Sequence, residues 1–280
     1  GSLAGTGAVN LQSNALTVGG SSSTTYSGVM SGVGGSLVQG GVGALTLSGV
    51  NTFTGGVTIG SGSVRVGNNS GLGTGVVTMS GGALSSDSTT ARVMTNGFSF
   101  GGTVTLGDTT NSGALTLGGT GTLTANTTVT VPSAVTLSGV ISGGAFSLTK
   151  GGSSVLTLGG ANTFSGGVDL GNGTIRVGNN AGLGTGPLTM TAGTLSSDSA
   201  TARSLANAYT LSGTLTLGDA TNTGGLTLSG VGTLGGATTV TTASAVTLSG
   251  VVGGGAFSLT KAGTATLALS GANTFSGGVT

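Results

Sequence analysis

At 280 residues and 25.8 kDa the chain is long enough to bury a substantial core. Only 4% of its residues are charged and 3% aromatic, Gly fills 63 positions, and the formal net charge of +1 includes five acids that are all Asp. This balance provides no basic stripe for phosphates and argues against a nucleic-acid partner. The absence of Cys excludes disulfides and thiolate metal sites, and the absence of His removes the commonest metal ligand and general base, so no cofactor and no metal are expected. Hydrophobic residues still reach 36%, alternating with small hydroxyl residues, which is the pattern of β-structure rather than of disorder.

The chain opens on "GSLAGTG", without the basic, apolar start of a signal peptide, and no apolar run approaches the ~18 residues of a membrane helix. An excerpt of a longer polypeptide, with no membrane span, is expected. Short apolar-polar-apolar strands follow: "LTL" at 45, "VTI" at 57, "VRV" at 64, "VTM" at 77, "VTL" at 104, "LTL" at 115 and "VTL" at 135. A period of two places Leu45, Leu47, Val57, Ile59, Val104, Leu106, Leu115, Leu117, Val135 and Leu137 inside, and Thr46, Thr105 and Thr116 outside. Gly, Asn and Ser close almost every strand, and Gly interrupts every window long enough for a helix.

The strands recur as a block. "ANTFSGGV" at Ala161 returns letter for letter at Ala272, and "VNTFTGGV" at Val50 lies the same distance upstream, which sets a 111-residue period. "RVGNN", "GLGTG", "LSSDS", "LGD" and "SAVTLSGV" keep the same spacing, dividing the chain into a partial unit 1–39, units 40–150 and 151–261, and a partial unit 262–280 of one continuous segment. A sandwich has no reason to repeat in this way without linkers, whereas a solenoid is extended by adding turns. The fold class is therefore all-β, a parallel β-solenoid with no significant helix. At roughly 22 residues per turn it holds about five coils per unit and about twelve in all. Strand spacing of ~4.8 Å makes that a rod roughly 60 Å long.

"FSLTKGGSSVLTLGGANTFSGGV" from Phe146 and "FSLTKAGTATLALSGANTFSGGV" from Phe257 resemble the passenger-associated repeat of bacterial autotransporters, with a weaker copy from Gly35 in which "LVQ" replaces "LTK". The resemblance implies a right-handed parallel β-helix at the bacterial cell surface or outside the cell, serving as a stalk and as an aid to secretion and folding. It brings no catalytic residue. The signal peptide and C-terminal membrane barrel of a whole autotransporter are not among these residues.

The candidate reactive groups are few. Asp87 with Asp108, and their repeats Asp198 with Asp219, are spaced close to one coil, which would stack two carboxylates as a glycoside-cleaving pair. Against that, "SSDS" and "LGD" are turn sequences, and Arg92 and Arg203 follow Asp87 and Asp198 by five residues as structural charge partners. Arg65 and Arg176 take outward strand positions, and Phe53, Phe164 and Phe275 are expected in the core. "GLGTG" and "GNGTIRVG" lack the Lys and helix of a phosphate loop, and the triplets at Asn68, Asn126 and Asn172 match the glycosylation pattern only at the level of chance. An outward Thr ladder raises ice binding as a further alternative. The expected function is non-enzymatic: a stalk, adhesin shaft or filament building block. Its open ends would meet further repeats of the same polypeptide or another copy, head to tail.

Overall fold

The computed structural model describes residues 1–280, folded into thirty strands with no helix; none of it is a helix long and apolar enough to cross a membrane. Two compact units, Gly1–Gly139 and Val140–Thr280, divide the chain. Within each, strands pair in parallel with the strand one turn later, so each unit is a parallel β-solenoid.

Three strand stacks build the first unit. In one, Leu37 faces Val57, Val57 faces Val77, Val77 faces Phe98 and Phe98 faces Gly121. In the next, Leu45 leads through Val64 and Leu84 to Leu106. The third joins Arg92–Met94, Leu115–Leu117 and Val135–Leu137. The turns are unequal: a short one carries Leu45 to its partner Val64, and a long one carries Val104 to Val129. The long turns belong to Phe98–Leu106, whose register shifts between Phe100 and Gly102, so that one strand bends and serves two stacks.

The second unit repeats these registers with one consequence for the sequence period. From Leu148 the stack climbs through Val168, Leu188, Tyr209 and Gly232 to Val252. The residue equivalent to Leu148 is Leu259, and it faces Thr238 instead. One sequence repeat is thus five coils plus one strand, and repeat-equivalent residues stand one strand apart around the coil.

Alternation fixes which side chains enter the interior. All ten apolar residues expected inside the first unit are at most 2% exposed, and so are their equivalents in the next repeat, from Leu156 to Leu248. Thr46, Thr105 and Thr116 are half-buried between stacked neighbours, with their hydroxyls on the outer face. A one-residue slip would expose the whole apolar set, at ~1.5 to 3 kcal/mol for each Val or Leu, which is why the register is unique.

The aromatic core differs between the repeats at one pair of positions. Phe98 stacks on Phe100 at 4.7 Å between ring centroids. The equivalent pair is Tyr209 and Leu211, and the buried Tyr209 hydroxyl has no hydrogen-bond partner. Burial pushes that phenol up to about 12. Tyr26, also buried, differs in donating its hydroxyl to the carbonyl of Gly7.

At one corner the coils touch through backbone alone. Ser27-Gly28-Val29 and Ser48-Gly49-Val50 lie one turn apart, as do Ser229-Gly230-Val231, Ser249-Gly250-Val251 and Ser270-Gly271-Ala272 in the second unit. A Cβ on Gly49 would collide with the carbonyl oxygen of Gly28, and one on Gly250 with that of Gly230. No side chain fits between these turns, so the sequence writes Gly once per coil.

Gly49→Ala is expected to destabilise the chain by about 3 kcal/mol or more, since backbone must move, whereas Gly60→Ala, with open space at its Cβ position, stays within about 0.5 kcal/mol. Tyr209→Phe, which copies Phe98, is expected to stabilise by about 1 kcal/mol by removing an unpaired buried hydroxyl. Denaturant midpoints of the three variants check both statements.

Candidate functional site

The positions that repeat most faithfully are polar residues at the corners, and their geometry shows what they do. Asn51 is 2% exposed. Its Oδ1 accepts from the Met30 amide at 2.8 Å, one turn before, and its Nδ2 donates to the Gly71 carbonyl at 2.6 Å, one turn after. One side chain thus ties three successive coils. Asn162 does the same between Ile141 and Gly182 at the same two distances, and Asn273 accepts from Val252. Two residues on, Phe53 and Phe164 are fully buried, and Phe275 is half-buried. Thr74 and Thr185 donate their amides to the carbonyls of Phe53 and Phe164. Asn96 and Asn207 then close the "GLGTG" turns from the following coil, each donating through Nδ2 to two Gly carbonyls, Gly73 and Gly75 or Gly184 and Gly186.

A second corner is tied by a long side chain. Lys150 is 2% exposed, and its Nζ donates to the carbonyls of Gly151 at 2.9 Å and Gly152 at 2.8 Å. Gln39 stands at the equivalent place in the first unit, where its Nε2 donates to Gly41 and Gly43. Lys261 donates to Gly263. The "LTK" and "LVQ" endings are therefore the same device, a long donor folded over the carbonyls of a Gly-rich turn. Burial pulls the Lys150 ammonium down to about 8.

The charged residues are likewise engaged within the coils. Arg92 Nη2 lies 2.7 Å from Asp87 Oδ1, and Arg203 Nη2 lies 2.9 Å from Asp198 Oδ1. Asp87 and Asp198 also accept from the hydroxyls of Ser88 and Ser199. Asp108 Oδ1 accepts from the amides of Thr110 and Asn111, and Asp219 Oδ1 from those of Thr221 and Asn222, so each carboxylate turns into its own loop. Their remaining oxygens meet Arg65 at 3.4 Å and Arg176 at 2.8 Å, contacts that cross two coils. Arg65 pairs in register with Ser85, the small buried residue of the intervening coil, and Arg176 with Ser196.

For Asp108, burial raises the carboxyl but the two amide bonds and Arg65 outweigh it, leaving it below the usual range. The balance at Asp219 is the same, with Arg176 as the cation. A glycosidase acid requires the opposite displacement. The sequence spacing paired Asp87 and Asp198 each with the Arg five residues on. It missed the partners of Arg65 and Arg176, for which a separation of two coils was the available signal.

Outward Thr residues occupy different stacks. Thr58 lies beside Thr78 in one, Thr46 beside Arg65 in another, and Thr116 beside Thr136 in the third. A flat ice-binding array needs them on one face, so the Thr-ladder reading does not fit this surface.

Lys150 gives the chain a measurable pH dependence. Its folded value of about 8 lies under the unfolded 10.5, so the penalty on the buried cation acts below pH 8 and is relieved as pH rises from 8 to 10.5. The gain approaches roughly 3 kcal/mol at ~1.4 kcal/mol per pH unit. Tyr209 acts oppositely: its folded phenol near 12 lies above the ordinary 10.0, so its contribution is lost as pH climbs from 10 to 12. Unfolding free energy is expected to rise above pH 8, peak near pH 10 and then fall. Lys150→Gln, which copies Gln39, should abolish the rise, and Tyr209→Phe should reduce the fall.

With this geometry in place, comparison with known proteins adds one family. The passenger-associated-transport-repeat matches residues 37–66, 148–177 and 259–280. No curated protein and no solved structure matches the chain. The matched segment 37–66 has a structural meaning: its first two strands, Ser36–Gln39 and Ala44–Leu47, are covered in register by Val57–Ile59 and Ser63–Val66, with the long donor and the Asn-Thr-Phe corner between them. Three stretches of the chain therefore match the passenger-associated-transport-repeat, two of them over 30 residues and the last over 22.

Proposed function

We propose that the chain is a non-enzymatic structural segment of a secreted or cell-surface bacterial protein, a stalk that sets distance. The observation that carries this reading is where the polar side chains go. Asn51, Asn162, Gln39, Lys150 and the four Arg–Asp pairs all bond within or between coils. Residues kept for an outside ligand have no reason to be arranged so. The phase of the repeat supports it too. Because equivalent residues stand one strand apart around the coil, Phe146 and Phe257 do not share a stack, and duplication lengthens the solenoid without widening a binding face. An adhesin shaft and a filament building block are two uses of this one property, in which added turns displace whatever is attached at either end.

In-register deletion of residues 151–261 tests the proposal, because it joins Lys150 to Ala262 and recreates the Lys261–Ala262 junction. The shortened chain should fold with unchanged β-structure and lose about 25 Å of maximum dimension in small-angle scattering, five coils at ~4.8 Å and a fraction of a sixth. Collapse of the fold, or a maximum dimension that does not shorten, would contradict a modular spacer.

A further inference from the structure

Two Asn-Gly pairs occur in the chain, Asn96-Gly97 and Asn172-Gly173, and the fold treats them oppositely. Asn96 is buried, and its Nδ2 is held by the carbonyls of Gly73 at 3.1 Å and Gly75 at 2.7 Å. Asn172 is exposed, in the turn between Val168–Leu170 and Thr174–Val177. Its Oδ1 accepts from the amide of Gly173 at 2.7 Å, which folds the side chain back toward its own successor. The Gly173 amide takes no part in the strand ladder; the neighbouring bonds run from Thr174 N–H to Ser154 and from Thr194 N–H to the Gly173 carbonyl. Beneath the turn lies a cation: a Cβ at Gly173 would stand 2.6 Å from Lys150 Nζ.

The geometry points to Asn172 as a site of spontaneous deamidation, with Lys150 as a positioning residue that favours it. The Gly173 nitrogen attacks Asn172 Cγ, and the new N–Cγ bond closes a succinimide. The Cγ–Nδ2 bond breaks, and Nδ2 departs as ammonia with the proton shed by the Gly173 amide. Water then opens the imide at either carbonyl, giving aspartate or isoaspartate. Nothing beyond water is consumed. Gly173 presents no side chain to obstruct the attack, and the Lys150 ammonium lowers the energy of the amide anion that performs it. At Asn96 the leaving nitrogen is bonded twice and buried, so reaction waits on local opening of the corner. The product carboxylate stands over Lys150, and an isoaspartate adds a backbone atom inside a corner of the passenger repeat. Ser61 occupies the equivalent place in the preceding repeat and has no such chemistry.

The test is prolonged incubation of the folded chain at physiological temperature, followed by peptide mapping with enzymatic methylation of isoaspartate. Asn172 should convert to mixed aspartate and isoaspartate at least about tenfold faster than Asn96, the difference set by the opening that Asn96 requires. Asn172→Ser, copying Ser61, should remove the signal, and Lys150→Gln, with the corner donor retained, should slow conversion several-fold. An unconverted Asn172 in the folded chain, or equal rates at the two sites, would overturn the assignment. An unchanged rate in Lys150→Gln would overturn the role of Lys150.

Discussion

Everything in this structure depends on how closely one turn of backbone approaches the next at the corners. Strand stacks can keep their spacing through ladder hydrogen bonds, but a corner has no ladder and is held apart by whatever side chain it carries. Gly removes that spacer. At Gly49 and Gly250 a carbonyl of the preceding coil occupies the space a Cβ would need. Closure at the corners then lets the apolar residues of successive strands meet inside. The extreme Gly content and the near absence of large surface side chains are two sides of that one constraint.

Closure leaves a second problem, since corner carbonyls and amides lose water without gaining strand partners, each at a cost of about 1–3 kcal/mol if left unmade. Buried Asn, Gln and Lys answer it. An Asn amide offers both donor and acceptor, so Asn51 satisfies Met30 in the coil before and Gly71 in the coil after. Lys supplies donors only, which suits the carbonyl-rich turn over Lys150 and brings with it a charge that the fold holds at a penalty. Gln39 also donates to two carbonyls of its turn, Gly41 and Gly43, without the charge, but leaves its own Oε1 unpaired. The passenger repeat is the stretch in which the long donor, the Gly corner and the Asn bridge occur together.

Strand positions and their inward faces were legible because period-two alternation is a local property: "LTL" and "VTI" state their burial within three residues. The solenoid followed from the repeat, and so did the matches to the passenger-associated-transport-repeat, through "LTK" and "ANTF". The coil phase did not, because turns as unequal as Leu45 to Val64 and Val104 to Val129 are averaged away within one repeat. Only register pairs such as Thr238 with Leu259 show that five coils and a strand make one repeat. The corner roles of Asn51 and Lys150 were hidden for a related reason. An Asn just after a Ser-Gly pair reads as a turn former and a lone Lys as a surface charge, and only the adjacent coils bury them. Arg65 with Asp108 was missed because its partner lies two coils away, past a residue small enough to be crossed.

The central claim is that buried Asn side chains hold the corners as firmly as the ladders hold the strands. Native-state hydrogen exchange at the amides of Met30 and Ile141 measures it most directly, since each donates to an Asn side-chain oxygen at 2.8 Å. The account predicts that these two amides exchange as slowly as those of the neighbouring strands Ser36–Gln39 and Leu148–Gly151. Exchange at the rate of exposed turn amides would contradict it, and would mean that the strands alone keep the coils together.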